Sequence, residues 1–144
     1  MNEAIASVLD GSRPPGVYRW LSSAHPATVR RAVVRHGWRC HPLDGRRIDG
    51  KQALLSAVAT EAEFPRWFGE NWDALADCLD DLSWSPAKGH LFLWDHHEVL
   101  LAADPAAWRQ AVEVFGAAAA ARPAGEPPLY LLLRGAPHPD VPLL

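Results

Sequence analysis

The sequence of 144 residues has few of the features that mark membrane, secreted or disulfide-stabilised proteins. Its only two cysteines, Cys40 and Cys78, form no CxxC pair, so we expect reduced thiols rather than a disulfide framework. No apolar run approaches the roughly 18 residues that a membrane span requires. The first residues, MNEAIASVLDGSRPPG, lack the basic-then-apolar order of a signal peptide. We therefore expect a cytoplasmic protein that does not act at a membrane.

Sequence patterns of the common enzyme and cofactor sites are also missing. There is no Gly-rich phosphate loop, no Ser-His-Asp arrangement, no internal repeat and no low-complexity linker. We therefore expect a protein that is not an enzyme, with no catalytic residues, no cofactor and no bound metal. The hydrophobic content of 49% is enough for the core of a single domain of this length.

Charge is distributed unevenly along the chain. Residues 1–51 contain nine Lys or Arg against four Asp or Glu, whereas residues 52–144 contain five against thirteen. The two parts therefore carry about +5 and −8, although the net charge is only −3. Such a separation predicts a dipolar surface whose acidic side suits a basic partner.

Segments with strand and helix patterns alternate along the chain. Aromatic, β-branched or wholly apolar runs predict four strands, near residues 17–21, 38–43, 90–95 and 129–134. Helical patterns fill the intervals, and in DPAAWRQAVEVFGAAAAA we expect Asp104 as the N-cap and Pro105 at the first position. This alternation predicts an α/β fold, a small parallel sheet of about four strands with helices packed on it. The first strand should lie parallel at a sheet edge.

The segment FPRWFGENWDALADCLDDLSW, residues 64–84, reads as a helix with an unusual concentration of acid. Placed at about 100° per residue, five carboxylates fall within a sector of about 100°: Glu70, Asp73, Asp77, Asp80 and Asp81. No Lys or Arg follows Arg66 in the segment, and the i,i+4 acidic pairs oppose helix formation. The carboxylates either form a solvated helix face or form a surface that binds a basic partner.

The same segment resembles the signature of the barstar family, the intracellular inhibitors of the secreted ribonuclease barnase. The signature is Pro, two aromatics, Gly-Glu-Asn, an apolar residue, Asp-Ala-Leu, any residue and Asp-Cys-Leu, and residues 65–79 match it in register. More weakly, the resemblance extends over residues 38–135. It implies a barstar-like domain at residues 38–144, and residues 1–37 would be a leader plus an added β–α unit of the same domain.

The resemblance implies a barstar-like inhibitor or immunity-type protein. Its acidic helix and the loop before it would occupy the basic active site of a ribonuclease, of the extracellular type or a toxin nuclease. By the family's pattern Asp77 is the central partner-binding carboxylate, Asp73 supports it, and Trp67 is the aromatic residue of the approach loop. From the sequence alone, Trp67 fits a core position equally well. The missing counter-charges would then belong to the partner.

This chain departs from the family's pattern at several positions near the acidic helix. Ala76 stands where the family has a tryptophan, and Asp80 and Asp81 replace a small, near-neutral pair but belong to the same expected binding face. The acidic residue that the family supplies from a later helix falls near Ala117. We therefore expect a partner other than barnase itself. We assign Asn71 and Glu70 to helix capping.

Two other functions fit parts of the sequence. LFLWDHHEVL places Asp95, His96, His97 and Glu98 after an apolar strand, as in DHH-type metal phosphoesterases, which would predict a metal-dependent hydrolase. No D-x-D follows an earlier strand, so a polar loop is the plainer interpretation. The arginines of residues 13–47 would suit a nucleic-acid surface, but their helical spacing favours a solvated helix face. We expect no direct nucleic-acid binding.

Overall fold

The structure, a computed structural model, describes residues 3–144, so the first two residues of the expected leader lie outside it. Helices and strands alternate along the described chain. In chain order they are α1 (Glu3–Leu9), β1 (Val17–Arg19), α2 (Pro26–Val34), β2 (Arg39–Asp44), α3 (Lys51–Glu61), α4 (Trp72–Asp81), β3 (His90–Asp95), α5 (Glu98–Ala103), α6 (Pro105–Ala121) and β4 (Leu129–Arg134). A short 3-10 turn, Gly45–Arg47, follows β2.

The four strands form one sheet in the order β1-β4-β3-β2, and every neighbouring pair is parallel. The predicted α/β fold with a small parallel sheet is therefore confirmed, and β1 lies at the edge where the first strand was expected. The other edge is β2, which contains Pro42. A proline is tolerated there because an edge strand leaves one row of backbone groups outside the ladder.

The sheet separates two hydrophobic clusters. Alternate residues of β3 point to opposite faces, so Phe92 and Trp94 join one cluster while Leu91 and Leu93 join the other. Helices α3 to α6 pack on the first face, and α1 and α2 pack on the second. The acidic segment and the N-terminal helices therefore lie on opposite faces of the sheet.

Two short helices were not predicted. Helix α1 has seven residues and α5 has six, too few for a clear helical period to appear in the sequence. The start of α6 is as expected, because the Asp104 carboxylate accepts a hydrogen bond of 3.1 Å from the N–H of Ala107 and Pro105 takes the first position. Within residues 3–144, no helix combines the length and the apolar character needed to cross a bilayer.

A buried ion pair fastens the N-terminal unit to the rest of the domain. Arg134, at the end of β4, is 8% exposed and donates to the Asp95 carboxylate, with one contact of 2.8 Å. Its remaining guanidinium nitrogen donates to the carbonyl oxygens of Ser22 and Ala24, at 3.1 and 2.7 Å. The segment that leads from β1 to α2 is thus held at the carboxyl ends of β3 and β4.

Candidate partner-binding face

The acidic segment is a loop followed by a helix, so the prediction of a helix from residue 64 onward was wrong in its first part. Residues 62–71 form a loop, and α4 begins only at Trp72. Pro65 lacks the N–H that a helix interior needs, and Glu70 has a φ of 51°, in the left-handed region that interrupts a helix. The helical pattern of the sequence continues through this loop because Phe64 and Phe68 also pack inward.

Capping by Asn71 sets the first turn of α4. The Asn71 side-chain oxygen accepts a hydrogen bond of 2.8 Å from the N–H of Ala74, so the capping role expected for Asn71 is confirmed. Within residues 3–144, Glu70 makes no capping hydrogen bond. Asp73 lies in the first turn, where a negative charge is favoured by the helix dipole.

Four exposed carboxylates of α4 form a surface here called the acidic face: Asp73, Asp77, Asp80 and Asp81. The opposite side of the helix is buried through Leu75, Cys78 and Leu79. In the described chain, no Lys, Arg or His nitrogen lies within 4.0 Å of any of the four carboxylates. Only Asp81 accepts a hydrogen bond there, at 3.3 Å from the N–H of Ser83. None of the four carboxylates is therefore paired with a basic side chain in the described chain.

The end of α4 makes a contact with Arg122 that could not be predicted from the sequence. The guanidinium of Arg122, the residue after α6, donates to the carbonyl oxygens of Leu79 at 2.8 Å and of Asp80 at 3.5 Å. It also donates to the carbonyl oxygen of Pro127. The last carbonyls of a helix lack partners inside the helix, and a cation there is favoured by the dipole. Arg122 supplies both the donors and the positive charge.

Trp67 is a surface residue. It is 63% exposed, and its ring meets the edge of Trp84 at a centroid distance of 6.4 Å. The Trp84 indole N–H donates to the carbonyl oxygen of Ala62 at 3.0 Å, which ties the chain after α4 to the start of the loop. Phe68 and Trp72 instead pack against the core. Of the two positions that the sequence left open for Trp67, the structure shows the exposed one.

A groove between α4 and α6 adds one carboxylate, that of Glu113, which was not predicted from the sequence. Ala76, Asp80, Glu113 and Ala117 are among the residues that line this space of about 350 Å³. The family's later-helix acid was expected near Ala117, which is alanine here, and the exposed Glu113 lies one helical turn before it. Glu113 could have been predicted from its spacing, because a residue four positions before Ala117 lies on the same face of the helix. Small side chains at positions 76 and 117 leave the groove open.

Both cysteines are free and buried. Burial raises the pKa of the Cys78 thiol, and the charges of Asp77 and Asp81 raise it further. Burial also raises the pKa of Cys40 to about 12. Because the thiolate is the reactive form, neither residue is suited to nucleophilic chemistry.

The residues of the DHH-like motif do not converge on a common point. Asp95 is paired with Arg134, and His97 is fully buried, accepting from the Trp108 indole N–H at 3.1 Å and donating to the Ala136 carbonyl oxygen at 2.7 Å. His96 is exposed, with a φ of 53°. Within the described part of the chain, no group of three His, Cys, Asp or Glu side chains is placed to hold a metal ion.

Two buried histidines support the base of the loop before α4. A nitrogen of His41 lies 3.2 Å from one of His90, and the other His41 nitrogen donates to the carbonyl oxygen of Glu61, also at 3.2 Å. Burial lowers the pKa of each from 6.5 to about 4. Folded pKa values below the unfolded ones mean that the unfolded chain takes up protons first as the pH falls. Their contribution to stability is therefore full above about pH 6.5 and is lost between about pH 6.5 and pH 4.

The basic N-terminal half offers several exposed arginines. Arg46 is paired with Asp44 at 3.0 Å. Arg30 and Arg31 of α2 are exposed, as expected for a solvated helix face, and so is Arg35, the residue that follows the helix. Helix α2 packs on the face of the sheet opposite α4, so these arginines and the acidic face belong to opposite sides of the sheet.

Residues 38–133 match the family described as "Barstar (barnase inhibitor)", which is two thirds of the chain. The chain therefore belongs to the barstar family. The match begins at Trp38, immediately before β2, and ends within β4, so it includes the whole of the acidic segment. Residues 3–37, with α1, β1 and α2, lie before it.

The fold is also similar to solved structures of a larger protein. One is described as "Structure of the Aeropyrum Pernix ORC2 protein (ADPNP-ADP complexes)", with 14% identity and a TM-score of 0.62. The structure of the ADP form of the same protein has 14% sequence identity to this chain and a TM-score of 0.61. Each match covers 92% of this chain and 38% of the other, so the chain spans well under half the length of that protein. At this identity the likeness concerns the fold alone. No curated protein sequence matched.

Proposed function

We propose that this protein is a barstar-like inhibitor, of the immunity type, that binds the basic active site of a ribonuclease through the acidic face and the loop before it. The single observation that carries the proposal is the acidic face itself, exposed carboxylates on one helix without an ion pair in the described chain. A ribonuclease must present positive charge to hold the phosphates of RNA. A preformed row of carboxylates is complementary to such a site.

The residues of the proposed interface have different roles. Asp77 is the central carboxylate and Asp73 supports it near the helix start, while Asp80 and Asp81 extend the negative surface toward the helix end. Trp67 offers an exposed indole beside them, suited to packing on an apolar or cationic group of the partner. The partner is a basic ribonuclease of the extracellular type or a toxin nuclease, met in the cytoplasm.

The two alternative functions have less support. A metal-dependent phosphoesterase would need Asp95 and His97 as ligands, yet both are already bonded to protein groups. A nucleic-acid surface would rely on the arginines of α2, which lie on the other side of the sheet from the family's binding segment. We further propose that residues 1–37 form an addition within the same domain, since β1 pairs with β4.

The test is binding of purified ribonucleases to the immobilised chain, first barnase, which the family's description names, and then small basic ribonucleases from the same source. The matched bait carries Asp73→Asn and Asp77→Asn. Association should slow steeply as salt rises, because exposed carboxylates steer a basic partner over distances that salt screens. Equal retention on both baits, or an association rate independent of salt, would contradict the proposal.

A further inference from the structure

Arg122 neutralises the end of α4 without engaging a carboxylate. Its guanidinium donates to the carbonyl oxygens of Leu79, Asp80 and Pro127, and all three acceptors are backbone atoms. Within residues 3–144 it forms no ion pair with a side chain, although it lines a separate pocket together with Asp80 and Asp81. The cation therefore lies beside the acidic face while its Nε and one terminal nitrogen donate to backbone oxygens.

This arrangement resolves a conflict at the end of the helix. Asp80 and Asp81 lie in the last turn, where negative charge is unfavourable and like charges repel. A flexible cation at this point would pair with one of them and so withdraw it from a partner. The planar guanidinium of arginine donates to backbone oxygens in fixed directions. Its positive charge offsets the negative end of the helix dipole, while the two carboxylates stay unpaired.

We propose that Arg122 is a positioning residue for the acidic face, holding the last turn of α4 so that Asp80 and Asp81 face outward as free carboxylates. It also links α4 to the segment between α6 and β4 through Pro127, so the orientation of the face depends on a residue that follows it by 41 positions in the sequence. The inference rests on the proposed binding of a basic ribonuclease by this face.

The first experiment uses the free protein and compares Arg122→Gln with Arg109→Gln. Arg109 is an exposed arginine of α6 without a hydrogen bond or ion pair in the described chain, so its replacement changes the net charge equally. By NMR, amide hydrogen exchange of residues 79–83 should quicken about tenfold relative to amides of β3 in Arg122→Gln, and not in Arg109→Gln. Equal loss of protection in α4 and β3, or none at residues 79–83, would overturn the positioning role.

The second experiment measures binding kinetics with the ribonuclease identified by the assay above. Arg122→Gln should dissociate about tenfold faster but associate no more slowly, since the variant loses a positive charge beside the docking face. Arg122→Lys restores that charge without the fork, so it should return association to the wild-type rate and leave dissociation fast. Unchanged dissociation in both variants would overturn the proposal. If no ribonuclease binds the wild type, the proposed function fails, and the exchange experiment still decides the role of Arg122 in α4.

Discussion

Replacing Asp77 by Asn should move stability and affinity in opposite directions. Asp77 is exposed near the middle of α4, with Asp73 and Asp81 four residues away on either side and no ion pair. Each like-charge i,i+4 pair costs a few tenths of a kcal/mol, so removing two should stabilise the free protein by about 0.4–1 kcal/mol at low salt. The macrodipole contributes little, because its effect is confined to the terminal turns.

In the complex, the same substitution leaves a basic group of the ribonuclease buried without its counter-charge. Breaking a buried charge pair from one side costs about 3 kcal/mol or more, which corresponds to a loss of affinity of roughly a hundredfold or more. The assay is a pair of measurements on Asp77→Asn, a urea denaturation midpoint and a dissociation constant. Asp49→Asn is the matched control, an exposed carboxylate in the turn before α3.

Each measurement has a result that refutes this reasoning. Clear destabilisation of Asp77→Asn would mean that the carboxylate has an internal structural partner. An unchanged dissociation constant would mean that the acidic face is only a solvated side of a helix.

Three further predictions concern the stability of the folded domain. Glu63 is exposed with a φ of 54°, so Glu63→Gly should relieve strain and raise the unfolding free energy by about 0.5–1 kcal/mol in urea denaturation. The lowered pKa of the buried His90 should reduce the free energy of unfolding by about 3 kcal/mol between pH 6.5 and pH 4. Urea denaturation at the two pH values should show a smaller loss of stability in His90→Phe than in the wild type. The loss should persist when the exposed His36 is replaced by Gln. Arg134→Met should destabilise the protein by about 3–5 kcal/mol, because it leaves the Asp95 carboxylate without its counter-charge. Adding Asp95→Leu should recover most of the lost stability. If Arg134→Met is as stable as the wild type, the ion pair does not hold the N-terminal unit.

The strands were predictable because their signals are local. β3 and β4 are continuous apolar runs, HLFLWD and LYLLLR, as expected when a parallel sheet is covered on both faces. The parallel direction of β1 was predictable because strands joined through a helical crossover run parallel. The short helices α1 and α5 escaped because six or seven residues give too few turns for a period.

The candidate face was only partly readable from the sequence. The row of carboxylates and the cap at Asn71 follow from local spacing, but the loop before α4 imitates a helix because Phe64 and Phe68 pack inward like helical residues. Arg122 could not be found at all, since its contacts with α4 exist only after α6 has packed against that helix. Likewise, Glu113 joins Asp80 in one groove only through tertiary packing.

The most direct test of the proposed function is a titration of a basic ribonuclease, first barnase and then any other that the chain retains, with the purified protein while RNA cleavage is followed. We expect one equivalent of the wild type, or of Asp49→Asn, to abolish cleavage. One equivalent of the Asp73→Asn, Asp77→Asn double variant should leave cleavage largely intact. Full inhibition by the double variant, or no inhibition by the wild type of any basic ribonuclease it binds, would contradict the claim that the acidic face occupies the active site.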